Sequence, residues 1–266
     1  AFTAASNIVN AAGITSGKVV NLVAGNSLTN GGSITAKEDV SLKATTGKVA
    51  NSGAIEGASV EFMAGTDIFN EAGVAANKGV NFTAASNVTN SGKVNAVESV
   101  IFTAQDGYII NKGEVSGEEV AFTAASNIVN EAGITAEQAV EFIANSSVTN
   151  SRAVTAKEDV TFEAATGRVV NSGAVEGANV EFTAGTDIVN EAEVIASKGV
   201  NFTAQGGYII NQGEVSGEEI VFNAATNVVN AANIIAGKVV NFVAGNSVTN
   251  SGSVAATEDV IFNATT

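Results

Sequence analysis

Apolar and polar residues alternate over five positions in this chain, and the alternating stretch returns every 20 residues. From residue 20 onwards each stretch places Val or Ile, then Phe or Leu, then Ala at every second position, as in Val60, Phe62 and Ala64. The positions between them vary freely and carry Glu61 and Met63 in this example. Strict alternation predicts a β-strand that buries one face. The Phe or Leu marker stands at Phe2, Leu22, Leu42, Phe62, Phe82, Phe102, Phe122, Phe142, Phe162, Phe182, Phe202, Phe222, Phe242 and Phe262.

Two further short stretches follow each marker and predict two more strands. The first ends in Asn, as in Ile68 and Asn70, and the second ends in a small residue, as in Val74 and Ala76. In four places the Asn arrives one residue late, and each time a Gly precedes it, where we expect a positive φ. These glycines are Gly47, Gly107, Gly167 and Gly207. The extra residue is removed again in the following corner, near Gly57, Gly117, Gly177 and Gly217.

Three short strands and three corners in 20 residues predict one turn of a parallel β-helix. The expected fold is therefore an all-β, right-handed parallel β-helix (β-solenoid) of about 13 coils. Two helices do not fit in 20 residues, and the Leu framework of a leucine-rich repeat is missing. Like residues should then stack at a spacing of about 4.8 Å, which gives a rod of roughly 60 Å.

The Asn residues that end the second stretches form a polar column on a predicted inward face. A buried carboxamide must be hydrogen-bonded, and stacked amides can bond to one another and to corner carbonyls. We therefore predict a structural Asn ladder. Its members are Asn10, Asn30, Asn51, Asn70, Asn90, Asn111, Asn130, Asn150, Asn171, Asn190, Asn211, Asn230 and Asn250.

A longer repeat overlies the short one. The segment 35–40 recurs at 155–160, but the segment 107–111 recurs at 207–211, so one whole coil has been lost or gained. Whole-coil insertions are tolerated in a one-dimensional stack. We interpret residues 1–266 as one β-helical domain with repeat blocks 2–121, 122–221 and 222–266, and as a piece of a longer chain.

Composition narrows the chemistry. The net charge is −15, which disfavours nucleic acid and anionic membranes as partners. No apolar run is long enough to insert in a membrane. The chain has no His and no Cys, so the usual catalytic bases and nucleophiles are missing. We predict no catalytic residue, cofactor or metal site.

Three candidate surface features have simpler interpretations. Paired carboxylates at 38–39, 158–159 and 258–259 could suggest calcium, but such charge runs are usually solvated corners. Outward Thr residues could suggest ice binding, but Lys43 and Glu163 interrupt the array. Tyr108 and Tyr208 occupy equivalent positions and could contact a sugar, although outward strand residues that cover apolar surface are the commoner case.

Two stretches resemble the haemagglutinin-type repeats of filamentous haemagglutinin and related exoproteins of bacterial two-partner secretion. They are 27–36 (SLTNGGSITA) and 247–254 (SVTNSGSV), and each leads into a further alternating strand. The resemblance implies a β-helical shaft that is exported with an outer-membrane secretion partner and displayed outside the cell. It also implies that other parts of the full-length protein bind a host or bacterial surface receptor or glycan, as in adhesins and contact-dependent inhibition toxins.

The leading hypothesis is a non-enzymatic, adhesin-type structural shaft of a large bacterial surface or secreted fibre. Two alternatives stay open. The lateral face could bind a glycan or receptor, with Tyr108 and Tyr208 as contacts. The chain could also be a subunit of an extracellular filament that associates with itself end to end or laterally.

Overall fold

The computed structural model of the chain describes residues 1–265. Over these residues it contains strands and corners but no helix. The fold is a parallel β-solenoid of about 13 turns, with roughly 20 residues and three strands in each turn. The predicted fold class is therefore confirmed. The chain divides into two compact units, Ala1–Thr135 and Ala136–Thr266.

In the first unit, short strands follow one another with corners of one to four residues between them. The strands are β1 (Phe2–Ala4), β2 (Ile8–Asn10), β3 (Ile14–Ser16), β4 (Val20–Ala24), β5 (Leu28–Asn30), β6 (Ile34–Ala36), β7 (Val40–Ala44), β8 (Val49–Asn51), β9 (Ile55–Gly57), β10 (Val60–Ala64), β11 (Ile68–Asn70), β12 (Val74–Ala76), β13 (Val80–Ala84), β14 (Val88–Asn90), β15 (Val94–Ala96), β16 (Ser99–Ala104), β17 (Ile109–Asn111), β18 (Val115–Gly117), β19 (Glu119–Ala124), β20 (Ile128–Asn130) and β21 (Ile134–Ala136), which ends on the first residue of the second unit.

In the second unit, several third and first strands join into one longer strand. The strands are β22 (Val140–Ala144), β23 (Val148–Asn150), β24 (Val154–Ala156), β25 (Asp159–Ala164), β26 (Val169–Asn171), β27 (Val175–Ala184), β28 (Ile188–Asn190), β29 (Val194–Ala204), β30 (Ile209–Asn211), β31 (Val215–Ala224), β32 (Asn227–Asn230), β33 (Ile234–Ala244), β34 (Ser247–Asn250), β35 (Val254–Ala256) and β36 (Val260–Ala264).

The joined strands keep the pattern of three strands per turn but bridge the third corner. Strand β27 pairs with β29 in parallel, and its register shifts between Gly177 and Asn179. The corner residues therefore behave as a β-bulge within a continuous strand. The sequence alone predicts separate strands here.

Within each unit, like residues of successive coils lie opposite one another. Strand β10 pairs with β13 in parallel, so that Val60 lies beside Val80 and Phe62 beside Phe82. The same register recurs in the second unit, where β25 pairs with β27. Because a shift of one residue would turn every apolar side chain outward, the alternating pattern fixes this register.

The core of each unit is a stack of Phe rings. Neighbouring ring centroids lie 4.5 to 4.7 Å apart in the first unit and 4.7 to 5.1 Å apart in the second. The rings from Phe62 to Phe242 are fully buried. Leu22 and Leu42 fill the same column near the start of the first unit, and both are buried.

The expected positive φ at the glycines before the late Asn residues is wrong. No residue among 1–265 has a positive φ. These glycines instead allow a close approach to the preceding coil, since a Cβ on Gly107 would lie 2.6 Å from the carbonyl oxygen of Ser86. On Gly207 it would lie 2.7 Å from the carbonyl oxygen of Thr186. The late coils therefore need glycine for space and not for an unusual backbone angle.

The predicted removal of the extra residue is confirmed by the strand bounds. In most regular coils of the first unit the third corner has three residues, as between Ala36 and Val40. In the late coils of this unit it is shorter, with two residues between Gly57 and Val60 and one between Gly117 and Glu119. The 20-residue step is preserved because the two adjustments cancel within one coil.

Candidate functional site

The predicted Asn residues stand at the ends of the second strands, and their carboxamides bond along the stack. The Nδ2 of Asn70 donates to the Oδ1 of Asn90 at 2.7 Å. The same bond, at 2.7 to 2.8 Å, joins Asn10 to Asn30, Asn30 to Asn51, Asn51 to Asn70, Asn90 to Asn111 and Asn111 to Asn130 in the first unit. In the second unit it joins Asn150 to Asn171, Asn171 to Asn190, Asn190 to Asn211, Asn211 to Asn230 and Asn230 to Asn250.

The second N–H of the carboxamide closes the corner that follows. In the first unit, Nδ2 of Asn90 also donates to the carbonyl oxygen of Gly92 at 2.9 Å. In the second unit, Nδ2 of Asn190 donates to the carbonyl oxygen of Ala192 at 2.8 Å. Both amide hydrogens and the amide oxygen are thus used, which a buried carboxamide requires. The arrangement can hold a corner and a register, but it offers no free group to a reactant.

Burial separates the inner members of the ladder from the terminal ones. The eleven residues from Asn30 to Asn230 are at most 2% exposed. Asn10 is half-buried and Asn250 is exposed. By contrast, Asn241 faces outward on a first strand, and its Oδ1 is the single buried side-chain oxygen or nitrogen in residues 1–265 without a hydrogen-bond partner. The ladder therefore satisfies the amides of its buried members, whereas the outward Asn241 is left with one unpaired oxygen.

A second polar column lies in the first corner, and the sequence reasoning missed it. The Oδ1 of Asp67 accepts bonds from the backbone N–H and the Nδ2 of Asn87, at 3.1 and 2.8 Å. The Oδ1 of Asn87 then accepts from the backbone N–H of Tyr108 at 3.0 Å. In the second unit Asp187 does the same for Tyr208, also at 3.0 Å. The signal was the recurrence of Asp or Asn directly before the second strand.

The two Tyr residues are tied through their backbones, and their side chains face solvent. Tyr108 is 39% exposed and Tyr208 is 38% exposed. The backbone N–H of each Tyr donates to a side chain of the first-corner column, Asn87 or Asp187. These bonds fix the position of the backbone from which each ring projects. Their proposed role as sugar contacts stays a prediction.

Charged side chains on the corners form exposed ion pairs between neighbouring coils. Lys93 bonds to Glu114 at 2.9 Å and Lys238 bonds to Glu218 at 2.8 Å. The hydrogen bond from Lys238, together with its positive charge, lowers the pKa of Glu218. In residues 1–265, no three acidic residues converge at one place that could hold a metal ion.

Two grooves lie over the outward face of the first strands, one in each unit. The first groove, of about 600 Å³, runs over the coils from Val19 to Ile101, with Glu61 and Asn81 in its lining. The second groove, of about 420 Å³, runs from Asn179 to Asn223, with Glu181 and Asn201 in its lining. Both volumes fall in the range of ligand sites in proteins.

Residues 1–265 include no helix of the length and apolar character that crossing a bilayer requires. No protein-family model, no curated protein and no solved structure matches the chain. The fold itself, a repetitive β-solenoid, is typical of structural proteins.

Proposed function

We propose that this chain is a non-enzymatic shaft segment of a large bacterial surface or secreted fibre, of the filamentous-haemagglutinin type, which gives reach and rigidity to other parts of the protein. The observation that carries the proposal is the uninterrupted stacking inside each unit. The coils from Leu22 to Phe242 repeat the same buried Phe or Leu, and the Asn carboxamides of neighbouring coils are joined by bonds of 2.7 to 2.8 Å.

Such stacking supports stiffness for a physical reason. Ring stacks and backbone ladders resist sliding because each coil would lose its apolar contacts and its hydrogen bonds together. The Asn ladder adds a directional restraint, since an inner carboxamide such as that of Asn70 donates to the next coil and accepts from the previous one. A stiff repeating element of this kind keeps its two ends at a fixed separation, and this function needs no reactive site.

The proposed setting follows from the same hypothesis. The shaft would be exported by an outer-membrane secretion partner and would stand outside the cell. Other parts of the full-length protein would bind the host or bacterial receptor. The predicted absence of a bound cofactor belongs to this proposal as well.

A surface-display experiment tests the shaft directly. The chain is placed between a membrane anchor and an epitope, and the height of the epitope above the membrane is measured. Deletion of residues 22–101 removes four coils in register and joins Asn21 to Phe102. We expect the height to fall by about 19 Å, which is four strand spacings.

A Gly/Ser-rich linker with the same number of residues is the control, because a flexible chain has a broad distribution of end-to-end distances. The shaft should give a narrow height distribution and the linker a broad one. An unchanged height after the deletion, or a distribution as broad as that of the linker, would contradict the proposal.

Lateral recognition of a glycan is the second candidate function. The two grooves favour it, because they offer polar side chains that the stacking does not use. This function is compatible with a shaft, since it uses the outward face only.

A further inference from the structure

We propose that the two grooves are equivalent binding sites for a neutral carbohydrate chain that lies across neighbouring coils. Both grooves stand on the outward face of the first strands, and each is formed by residues of one unit alone. Their key residues are separated by 120 positions, so that Glu61 and Asn81 correspond to Glu181 and Asn201.

Each groove presents a carboxylate and a carboxamide side by side on neighbouring strands, and its lining includes a second acidic residue, Asp39 in the first groove and Glu219 in the second. Glu61 pairs with Asn81 across neighbouring strands, and Glu181 pairs with Asn201 in the same way. A carboxylate accepts hydrogen bonds and a carboxamide nitrogen donates them. Sugar hydroxyls both donate and accept, so neighbouring hydroxyls of a pyranose complement this pair.

Adjacent hydroxyl side chains hold the pair in place. In the first groove the Oγ1 of Thr83 donates to the Oδ1 of Asn81 at 3.2 Å, and the Oγ of Ser41 donates to the Oε2 of Glu61 at 3.1 Å. In this arrangement the oxygen of Asn81 is occupied, and no bond within residues 1–265 uses its Nδ2. One oxygen of Glu61 is likewise left over. The groove therefore carries an oriented donor and an oriented acceptor for a ligand.

The second groove repeats the contact of the carboxamide, and a different hydroxyl group bonds to its carboxylate. The Oγ1 of Thr203 donates to the Oδ1 of Asn201 at 3.3 Å, and the Oγ1 of Thr183 donates to the Oε1 of Glu181 at 3.1 Å. The Nδ2 of Asn201 also has no hydrogen bond within residues 1–265. Each groove thus holds a carboxamide nitrogen as donor and a carboxylate oxygen as acceptor. The carboxamide is held by a Thr in both grooves, whereas the carboxylate is held by Ser41 in the first groove and by Thr183 in the second.

A glycine stands in the corner before each carboxamide, and the space beside it is open only in the second groove, because a Cβ on Gly79 would lie 3.1 Å from the Oγ of Ser99. Gly79 and Gly199 occupy the same corner position, one residue before the first strand's Val. A Cβ on Gly199 would find only ordinary contacts, 3.6 Å from the Oδ1 of Asn179 and 3.7 Å from the carbonyl oxygen of Glu219. A side chain would fit there, so its absence leaves room above Asn201.

Charge and apolar surface narrow the ligand class. A chain of net charge −15 with two acidic residues in the lining of each groove repels acidic polysaccharides. Ile101 in the first groove and Val221 in the second provide apolar surface, on which the C–H face of a sugar ring can pack. A neutral oligosaccharide fits both properties.

Calorimetric titration of the whole chain tests this proposal. The probes are neutral oligosaccharides built from glucose, xylose, mannose or N-acetylglucosamine, with oligogalacturonate as the acidic probe. We expect at least one neutral probe to bind with two sites per chain and the acidic probe not to bind.

The variants use residues that the chain already has in the same column, namely Thr161 and Val221. Glu61→Thr with Asn81→Val should weaken the first groove about tenfold or more, since two hydrogen bonds are lost. Glu181→Thr with Asn201→Val should do the same to the second groove, and the four changes together should abolish binding. The control is Glu141→Thr, which changes the same column outside both grooves and should leave binding unchanged.

A second variant separates binding from folding. Gly199→Asn introduces the residue found at position 179 of the same corner column and should block the second groove while thermal melting stays unchanged. The proposal is overturned if no neutral probe binds at millimolar concentration, if only the acidic probe binds, or if binding survives the four-fold variant.

Discussion

The first and second strands of each coil fill their inward positions in opposite ways, and the contrast separates stability from specificity. The first strands bury Phe, but Leu22 and Leu42 fill the same column without loss of burial. The second strands end in Asn in every coil, from Asn10 to Asn250. Apolar burial has no direction and tolerates a change of shape. A carboxamide that uses both hydrogens and its oxygen tolerates none.

The comparison teaches that the two columns have different tasks. The Phe column contributes the largest buried side chains of the core, and each ring removes a large apolar area from water. The Asn column fixes the second corner and the alignment of one coil on the next. The predictions below test this division, and they run from the largest expected effect to the smallest.

Asn90→Asp should be the most damaging change. The new side chain has no hydrogen to donate to Asn111 or to the carbonyl of Gly92, and it places a charge where Asn90 is fully buried. We expect a loss of about 4 kcal/mol or more in unfolding free energy at neutral pH. Chemical denaturation measures it.

Asn95→Asp is the matched control for that change. Asn95 is half-buried, and its Oδ1 accepts a bond from the Oγ of Ser116 at 2.7 Å, which a carboxylate accepts equally well. We expect a change near zero. Equal losses in the two variants would show that inward placement of the Asn column does not matter.

Phe102→Ala should destabilise the chain by about 3–5 kcal/mol, because it leaves a cavity in the ring stack. Phe102→Leu should cost less than about 1.5 kcal/mol, since Leu22 and Leu42 already fill this column. Both values come from denaturant melts. A Leu variant as unstable as the Ala variant would mean that the ring stack itself, and not apolar volume, supplies the stability.

Gly107→Ala tests how the Asn column keeps its position when it arrives one residue late. A Cβ there would lie 2.6 Å from the carbonyl oxygen of Ser86, so the coils must separate locally, at a cost of about 1–3 kcal/mol. Gly133→Ala is the control, because a Cβ at Gly133 meets nothing within 4 Å. If both variants melt alike, close approach is not the reason for glycine at position 107.

Most of the fold was predictable from the sequence because one pattern repeats many times. The alternation around Phe62 fixes the strand, its buried face and its register at once, and the recurrence of Asn70 at each coil indicates a bonded inward column. Repetition removes the usual ambiguity of short strands. The same reasoning does not reach the corners, where the need for glycine at position 107 comes from how closely the previous coil approaches.

The candidate site was less predictable, for a physical reason. Asp67 and Asn87 lie 20 positions apart and bond to each other in the first corner. Their spacing can be read from the sequence, but the hydrogen bond between them cannot. The first groove, which Gly79 and Asn81 line, depends on how far the surrounding side chains extend above the strands. That is a property of side-chain volume in three dimensions. Alternation predicts which residues face outward, but it does not predict which outward residues enclose a cavity.

Lys238→Ala should have the smallest effect, because its partner Glu218 belongs to neither column and the two side chains are 46% and 52% exposed. The hydrogen bond and the charge of Lys238 lower the pKa of Glu218 from its usual 4.5. A carboxyl with a lowered folded-state pKa favours folding above its ordinary pKa, and this contribution is lost as pH falls through the lowered value. The variant should therefore raise the pKa of Glu218 towards 4.5 in an NMR titration, while solvent and salt screening keep the melting temperature at neutral pH unchanged. A marked drop in that temperature would show that surface ion pairs contribute to the stack, and the division of tasks between the Phe and Asn columns would then be incomplete.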